Sequence, residues 1–367
     1  LFTHFCCLFP LYIHSIWPLS LPARRGAKKQ TKFRNLNQIP PIHLLPASNS
    51  DCSAVWVLTF KLSNMVSNLS LEDGMMILDE AFSRTRKIME GYSNVKFSAE
   101  EYQKFYECVY LLCVQRTSFD NSRMLYERYQ NGLEECIYSL VLPSLEDKND
   151  AALLTELVVK WSNYQLMARW LSRFFCYLDR FYIPRVGAFG LLELAIRCFH
   201  NLVNSRCNSK LVPAAIALIN QDRNGEKIDS NILKNVVEYF DIVRTVGGTC
   251  YDEFEKALLA NSAAHYSQVA SHGLLHDSCA DYTYKVQWCL NQESVRSSQF
   301  LNPTLRDKLL QVVKSCLVDQ VCTKFAEKQR AENHGKSADY QDLLSKCADL
   351  NLGDPGSDQN WNMVQQP

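Results

Sequence analysis

An all-α architecture, with helices packed in bundles or stacked into a solenoid, is what this sequence predicts. Glycine (13) and proline (12) are scarce in 367 residues, which disfavours a turn-dense sandwich or barrel and suits long helices. Helix start signals recur from about Ser70 onward, and no stretch shows the strict apolar–polar alternation of a half-buried strand. The hydrophobic content of 47% is enough to bury a sizeable core, and the length allows about two or three units.

Residues 1–64 read differently from the rest. They are rich in Leu, Pro, Phe and His and show no sustained period. They lack an initiating Met and a charged opening, so the pattern of a secretory signal is incomplete. The expectation is an unstructured leader or mis-annotated extension, with a targeting peptide as the alternative. From Ser70 the signals become regular. Ser70 precedes Leu71-Glu72-Asp73, placing acids in a first turn where the helix dipole favours them. Ser98-Ala99-Glu100-Glu101 has the form of a capping box. Asp229 is positioned to cap a helix carrying Ile232, Leu233, Val236 and Val237. Breaks are expected at Pro143-Ser144, Pro184, Asn224-Gly225, Gly247-Gly248 and Asn302-Pro303. These signals divide residues 70–350 into roughly a dozen helices. The tail after Leu352 has the composition of a disordered segment.

Charge and cysteine usage exclude several function classes. Residues 1–64 hold seven basic side chains against the single acid Asp51, so the remainder carries a net charge of −6. A mildly acidic body offers no basic face for nucleic acid. No apolar run reaches the roughly 18 residues of a membrane span. The 15 cysteines are spread singly through helical stretches, as Cys108, Cys113, Cys136, Cys176, Cys198, Cys250, Cys289 and Cys316 illustrate, with no CxxC. They read as small buried hydrophobes in a reducing compartment, cytoplasmic or nuclear.

Three stretches carry more information. In the helix after Ser98, at 100° per residue from Tyr102, Phe105, Tyr106, Val109 and Cys113 all fall within about 60° of one line. Such a stripe is either core or contact surface. Tyrosine is enriched in binding hot spots because its hydroxyl seeks a partner. In Val159–Ile183, the positions Leu171, Phe174, Phe175 and Leu178 cover about 140° and predict a broad buried face, while Arg169, Arg173 and Arg180 gather on another side as a solvated basic stripe. Upstream, Asn163 and Met167 lie one turn apart beside Tyr164. Residues 215–240 read as a helical hairpin turning at Asn224-Gly225.

These stretches resemble class-one cullins. The words are RWLSRFFCYLDR (169–180), ALINQDRNGEKID (217–229) with ILKNVV (232–237) after it, and DSCADYTYK (277–285). LEDGMMILDEAFSRTRKIMEGY (71–92) is similar to the family's first helix. The resemblance runs from about Leu71 to Leu350 and implies stacked five-helix cullin repeats forming an elongated helical stalk. The repeats are expected at 65–205 and 206–300, with a partial third at 301–350 and a disordered tail at 351–367.

In that family the second and fifth helices of the first repeat hold a Skp-type adaptor, which carries an F-box protein. Carried over here, the second helix supplies Tyr102, Phe105, Tyr106 and Val109. The fifth supplies Asn163, Tyr164, Gln165 and Met167, although the family usually has His and Lys where this chain has Tyr164 and Gln165. The expectation is one exposed patch on a non-catalytic scaffold of SCF type, serving ubiquitin-dependent degradation without a cofactor. Because the resemblance ends inside a third repeat, no RING subunit is expected to bind. An adaptor-sequestering decoy is the alternative within binding proteins. The alternative from another class is a metal-dependent enzyme using His265, His272 and His276 with Cys279. The i,i+4 pair His272 and His276 suits one metal ion, but no Glu stands beside it as in HExxH, and no phosphate loop, nucleophile elbow or catalytic carboxylate pair accompanies it.

Overall fold

A computed structural model describes residues 69–92, 94–115 and 118–333. The expected leader at 1–64 and the tail at 351–367 lie outside them. The regular structure among the described residues is all helical, with no strand among them. In chain order the helices are α1 (Leu71–Met89), α2 (Ala99–Val114), α3 (Ser118–Cys136), α4 (Leu142–Glu146), α5 (Asp150–Phe174), α6 (Cys176–Phe181) and α7 (Ile183–Val186). They continue with α8 (Leu191–Arg223), α9 (Ser230–Arg244), α10 (Cys250–His276), α11 (Cys279–Ser298), α12 (Pro303–Lys314) and α13 (Cys322–Asn333).

The helix starts follow local chemistry. The Ser70 hydroxyl accepts from the Asp73 amide at 3.0 Å. At the head of α2 the capping box closes in both directions, the Glu101 amide donating to Ser98 Oγ and the Ser98 amide to Glu101 Oε2. Asp229 accepts from the Asn231 amide before α9, and Asn302 from the Leu305 amide before α12.

The helical course differs from expectation at Pro143 and within Val159–Ile183. Pro143 does not break the chain's helical course: α3 runs through a π-helical segment, Ile137–Val141, directly into α4. Proline is tolerated there because it occupies the first turn of α4. The stretch Val159–Ile183 is three helices, not one. It bends at Phe175, whose φ of −92° and ψ of 8° leave the α region. The long α8 spans the expected 205/206 boundary without interruption.

Helix α5 organises the first half, packing against α1, α2, α8 and α9. This is why its apolar residues occupy several faces: Leu154, Leu157, Trp161, Tyr164, Met167, Ala168, Leu171 and Phe174 are all buried. The expected burial of Phe174, Phe175 and Leu178 is complete, at 0% exposure each. Fully burying side chains of this size contributes roughly 1.5–3 kcal/mol apiece. The second half closes through α10 against α8, α9, α12 and α13. No helix among the described residues is long and apolar enough to cross a membrane.

Candidate protein-interaction surface

The eight residues carried over from the resemblance do not form one exposed patch. Phe105, Val109, Tyr164 and Met167 are buried at 0%, 0%, 1% and 2% exposure. On α2 the core takes the centre of the apolar stripe. Phe105 meets Phe97 and Phe174 at ring-centroid distances of 6.1 and 5.1 Å, and Val109 lies beside it in the same cluster. On α5, helical rotation spreads Asn163, Tyr164, Gln165 and Met167 over about 200°, so they cannot share an outward face. Tyr164 and Met167 turn inward. The Tyr164 ring packs on Trp161 and Phe199, and its hydroxyl donates to the Ala195 carbonyl at 2.8 Å. Asn163 and Gln165 stay partly exposed on either side.

The two helices also meet at a different level from the one expected. Tyr102 packs on Phe174 at 5.9 Å, and Tyr110 on Tyr177 at 5.2 Å. Asn163–Met167 lies seven or more residues before Phe174, about 10–16 Å away along the α5 axis. The exposed edge of α2 is therefore flanked by the end of α5 and by α6, not by Asn163–Met167.

That edge is an aromatic ridge. Tyr102 and Tyr106 are both partly exposed, with rings nearly parallel at 5° and centroids 6.4 Å apart. One turn further on, Tyr110 is 37% exposed and meets Tyr177 edge-on. Tyr177 in turn contacts Phe181 at 4.4 Å, and Phe181 is 48% exposed. Offset and edge-to-face pairs of this kind hold large rings in place at the surface. Burial pushes the phenols of Tyr102, Tyr106 and Tyr177 above their ordinary value. The guanidiniums of Arg173 and Arg180 pull Tyr102 the other way, as Arg180 does for Tyr106 and Arg185 for Tyr177. Burial also raises the Cys176 thiol, against the pull of Arg180.

Sequence reasoning missed Tyr110, Tyr177 and Phe181. Tyr110 lies about 80° from Tyr102, just beyond the stripe's limit, though it stands one turn from Tyr106. Tyr177 and Phe181 form an i,i+4 pair whose outward direction depends on the bend at Phe175. A second aromatic face, on α11, also escaped it: Tyr284, Trp288 and Val295 are 66%, 54% and 53% exposed.

The histidines considered as metal ligands are dispersed. His272 and His276 are exposed with ring centroids 4.5 Å apart. His265 lies two turns earlier against Tyr266, its pKa lowered by burial and by Arg223. Among the described residues, no group of three or more His, Cys, Asp or Glu side chains is arranged to hold a metal ion.

Comparison with known proteins agrees with this helical organisation. Residues 79–352 match the cullin alpha solenoid domain. The chain is 39% identical over 267 residues to Cullin-1 of Oryza sativa subsp. japonica, a match covering 72% of this chain and 36% of that protein. It is 36% identical over 270 residues to putative cullin-like protein 2 of Arabidopsis thaliana, covering 72% and 70% of the two chains. It is 34% identical over 238 residues to cullin-like protein 3 of the same plant, covering 64% of this chain and 91% of the relative. The chain thus spans about a third of the length of the Oryza cullin and most of the length of the shorter cullin-like protein. The chain belongs to the cullin family, the scaffold family of ubiquitin ligases.

Proposed function

We propose that this chain is a non-catalytic scaffold of SCF type that binds a Skp-type adaptor and, through it, F-box proteins. The observation that carries this reading is the ridge of Tyr102, Tyr106, Tyr110 and Tyr177. It is a set of large, partly exposed rings anchored on one helix of a cullin first repeat and on the helices packed beside it. Interfaces concentrate their energy in such rigid aromatic anchors, because tyrosine buries a large area while freezing few torsions. Asn163 and Gln165 retain partial exposure and belong to the far periphery of the contact in this reading; Phe105 and Val109 support the ridge from the core, while Tyr164 and Met167 hold the body of α5. The repeat limits near 205 and 300 are part of the same proposal.

Isothermal calorimetry of the full chain with a purified Skp-type adaptor tests it. A saturable 1:1 isotherm that weakens on Tyr106→Ala is expected. Absence of heat with the wild-type chain, or an affinity indifferent to Tyr102, Tyr106 and Tyr110, overturns it.

A further inference from the structure

Three arginines border the aromatic ridge, and their surroundings differ from those of most other arginines among the described residues. Most guanidiniums elsewhere meet carboxylates: Arg84 with Glu101, Arg86 with Glu90, Arg123 with Glu127, Arg128 with Asp79, Arg197 with Glu193, Arg244 with Asp252; Arg169, half-buried one turn before Arg173, is an exception. Arg173, Arg180 and Arg185 are all exposed, and none forms an ion pair among the described residues. Arg173 instead rests over the Trp170 ring, 5.4 Å from its centroid. The nearest carboxylate in sequence, Asp179, is occupied in accepting from the Leu191 amide at 3.0 Å. Three uncompensated cations thus stand beside Tyr102, Tyr106 and Tyr177 on a body whose net charge is negative.

We infer that the partner seated on this ridge presents an acidic protein segment, whose carboxylates meet Arg173, Arg180 and Arg185 while its apolar side chains cover the tyrosines. The inference deepens the adaptor reading and rests on the ridge being a docking surface. Charge complementarity is its main argument. Arginine makes forked, charge-assisted hydrogen bonds to carboxylates, and like charges without local compensation favour an oppositely charged occupant. Nucleic acid fits less well. Its phosphates need a continuous basic track, whereas α2 carries Glu107 one residue beyond Tyr106 and bears Glu100 and Glu101 in its first turn.

Two arms separate this inference from the adaptor reading. The first titrates the full chain with a fluorescein-labelled synthetic peptide of alternating Asp/Glu and Leu/Phe, beside a counterpart with Lys in place of the acids. The acidic peptide is expected to bind and the basic one not. Binding should fall at least about tenfold in the triple variant Arg173→Gln/Arg180→Gln/Arg185→Gln, and weaken steeply as salt rises. All three side chains are exposed, so the variant should keep the wild-type melting temperature; Arg180→Glu alone provides a second variant. Failure of the acidic peptide to bind, equal binding of both peptides, or tighter arginine-dependent binding of a single-stranded RNA oligonucleotide overturns the inference. The second arm repeats the adaptor titration with the triple variant. An adaptor that binds wild type and variant alike, with no salt dependence, overturns the inference and leaves the adaptor reading intact. A chain that binds the acidic peptide through these arginines but no adaptor overturns the adaptor reading alone.

Discussion

Arg223 and Glu293 form an ion pair at 2.6 Å in which both side chains are only 1% exposed. Arg223 ends α8 and Glu293 lies in α11, so the pair ties together helices 70 residues apart. The remaining polar atoms are taken up around it. Tyr266 Oη donates to Glu293 Oε2 at 2.8 Å, and Arg296 Nη1 to the same oxygen at 2.6 Å. Arg223 also donates to Asn261 Oδ1 and Ser262 Oγ, both on α10. Burial raises the Glu293 carboxyl, but Arg223, Tyr266 and Arg296 outweigh it and hold its pKa below 4.5.

Breaking this pair on one side strands a buried charge. Glu293→Ala is therefore expected to cost about 3–5 kcal/mol, while Arg223→Met with Glu293→Leu should restore much of that loss. Urea unfolding of the three proteins at neutral pH checks it. The linkage has a definite sign. A carboxylate with a depressed folded pKa contributes stability above pH 4.5 that is lost as pH falls through the folded value. Repeating the unfolding in acid should show a shallower loss for Glu293→Gln than for wild type.

Tyr164 shows why a residue chosen for contact serves the core. Its hydroxyl satisfies the Ala195 carbonyl where water is excluded, and its ring fills the space between Trp161 and Phe199. Tyr164→Phe removes only the hydrogen bond and should cost about 1 kcal/mol. Tyr164→Ala also leaves a cavity and should cost about 3–5 kcal/mol. Melting temperatures that fall in this order, with Tyr164→Phe binding an adaptor as the wild type does, are the expected result.

What the sequence discloses here depends on range. The Ser98–Glu101 capping box and the Asp229 cap rest on residues two or three apart, and they form as read. The buried face at Phe174, Phe175 and Leu178 follows from period alone. The bend at Phe175 does not, because no glycine or proline stands between Trp170 and Pro184. It places Tyr177 against Tyr110 and so depends on tertiary packing. The α2 stripe was visible, but periodicity gives a direction and not the width of the neighbour that covers it. Phe174 of α5 packs on Phe105, Val109 is buried in the same core, and Tyr106 and Tyr110 stay at the rim. The level at which α2 crosses α5 is likewise a long-range property; the pairing of Asn163–Met167 with the tyrosines comes from the family resemblance alone.

His200 supplies a pH dependence near neutrality. It is 8% exposed on α8, and its Nδ1 has no hydrogen-bond partner among the described residues. Burial lowers its pKa below 6.5. The unfolded chain takes up a proton near that value while the folded chain resists, so this stability is complete above pH 6.5 and lost as pH falls below it. His265 is lowered too and adds to the same window. Thermal melts above and below pH 6.5 are expected to converge partly in His200→Phe, with the remainder removed when His265→Gln is added.

The adjacent residues Phe105 and Tyr106 give the sharpest test of the interaction surface. Phe105 is fully buried against Phe97 and Phe174, whereas Tyr106 keeps part of its ring exposed beside Tyr102. Truncating Phe105 to Ala opens a core cavity and should cost about 3–5 kcal/mol of stability. Truncating Tyr106 leaves the core layer in place. Its effect should appear in adaptor binding, at about 2 kcal/mol or roughly thirtyfold in affinity. Calorimetry and a melting curve on both variants separate the two roles. Phe105→Ala should lower the melting temperature by several degrees and lose binding only through lost folded protein. Tyr106→Ala should bind weakly while melting close to wild type, because the ring it removes lies at the rim. A collapsed melt for Tyr106→Ala would make that ring a structural prop of the α2–α5 contact through Tyr102 and Phe174, and would leave Tyr110, Tyr177 and Phe181 as the part of the ridge available to a partner.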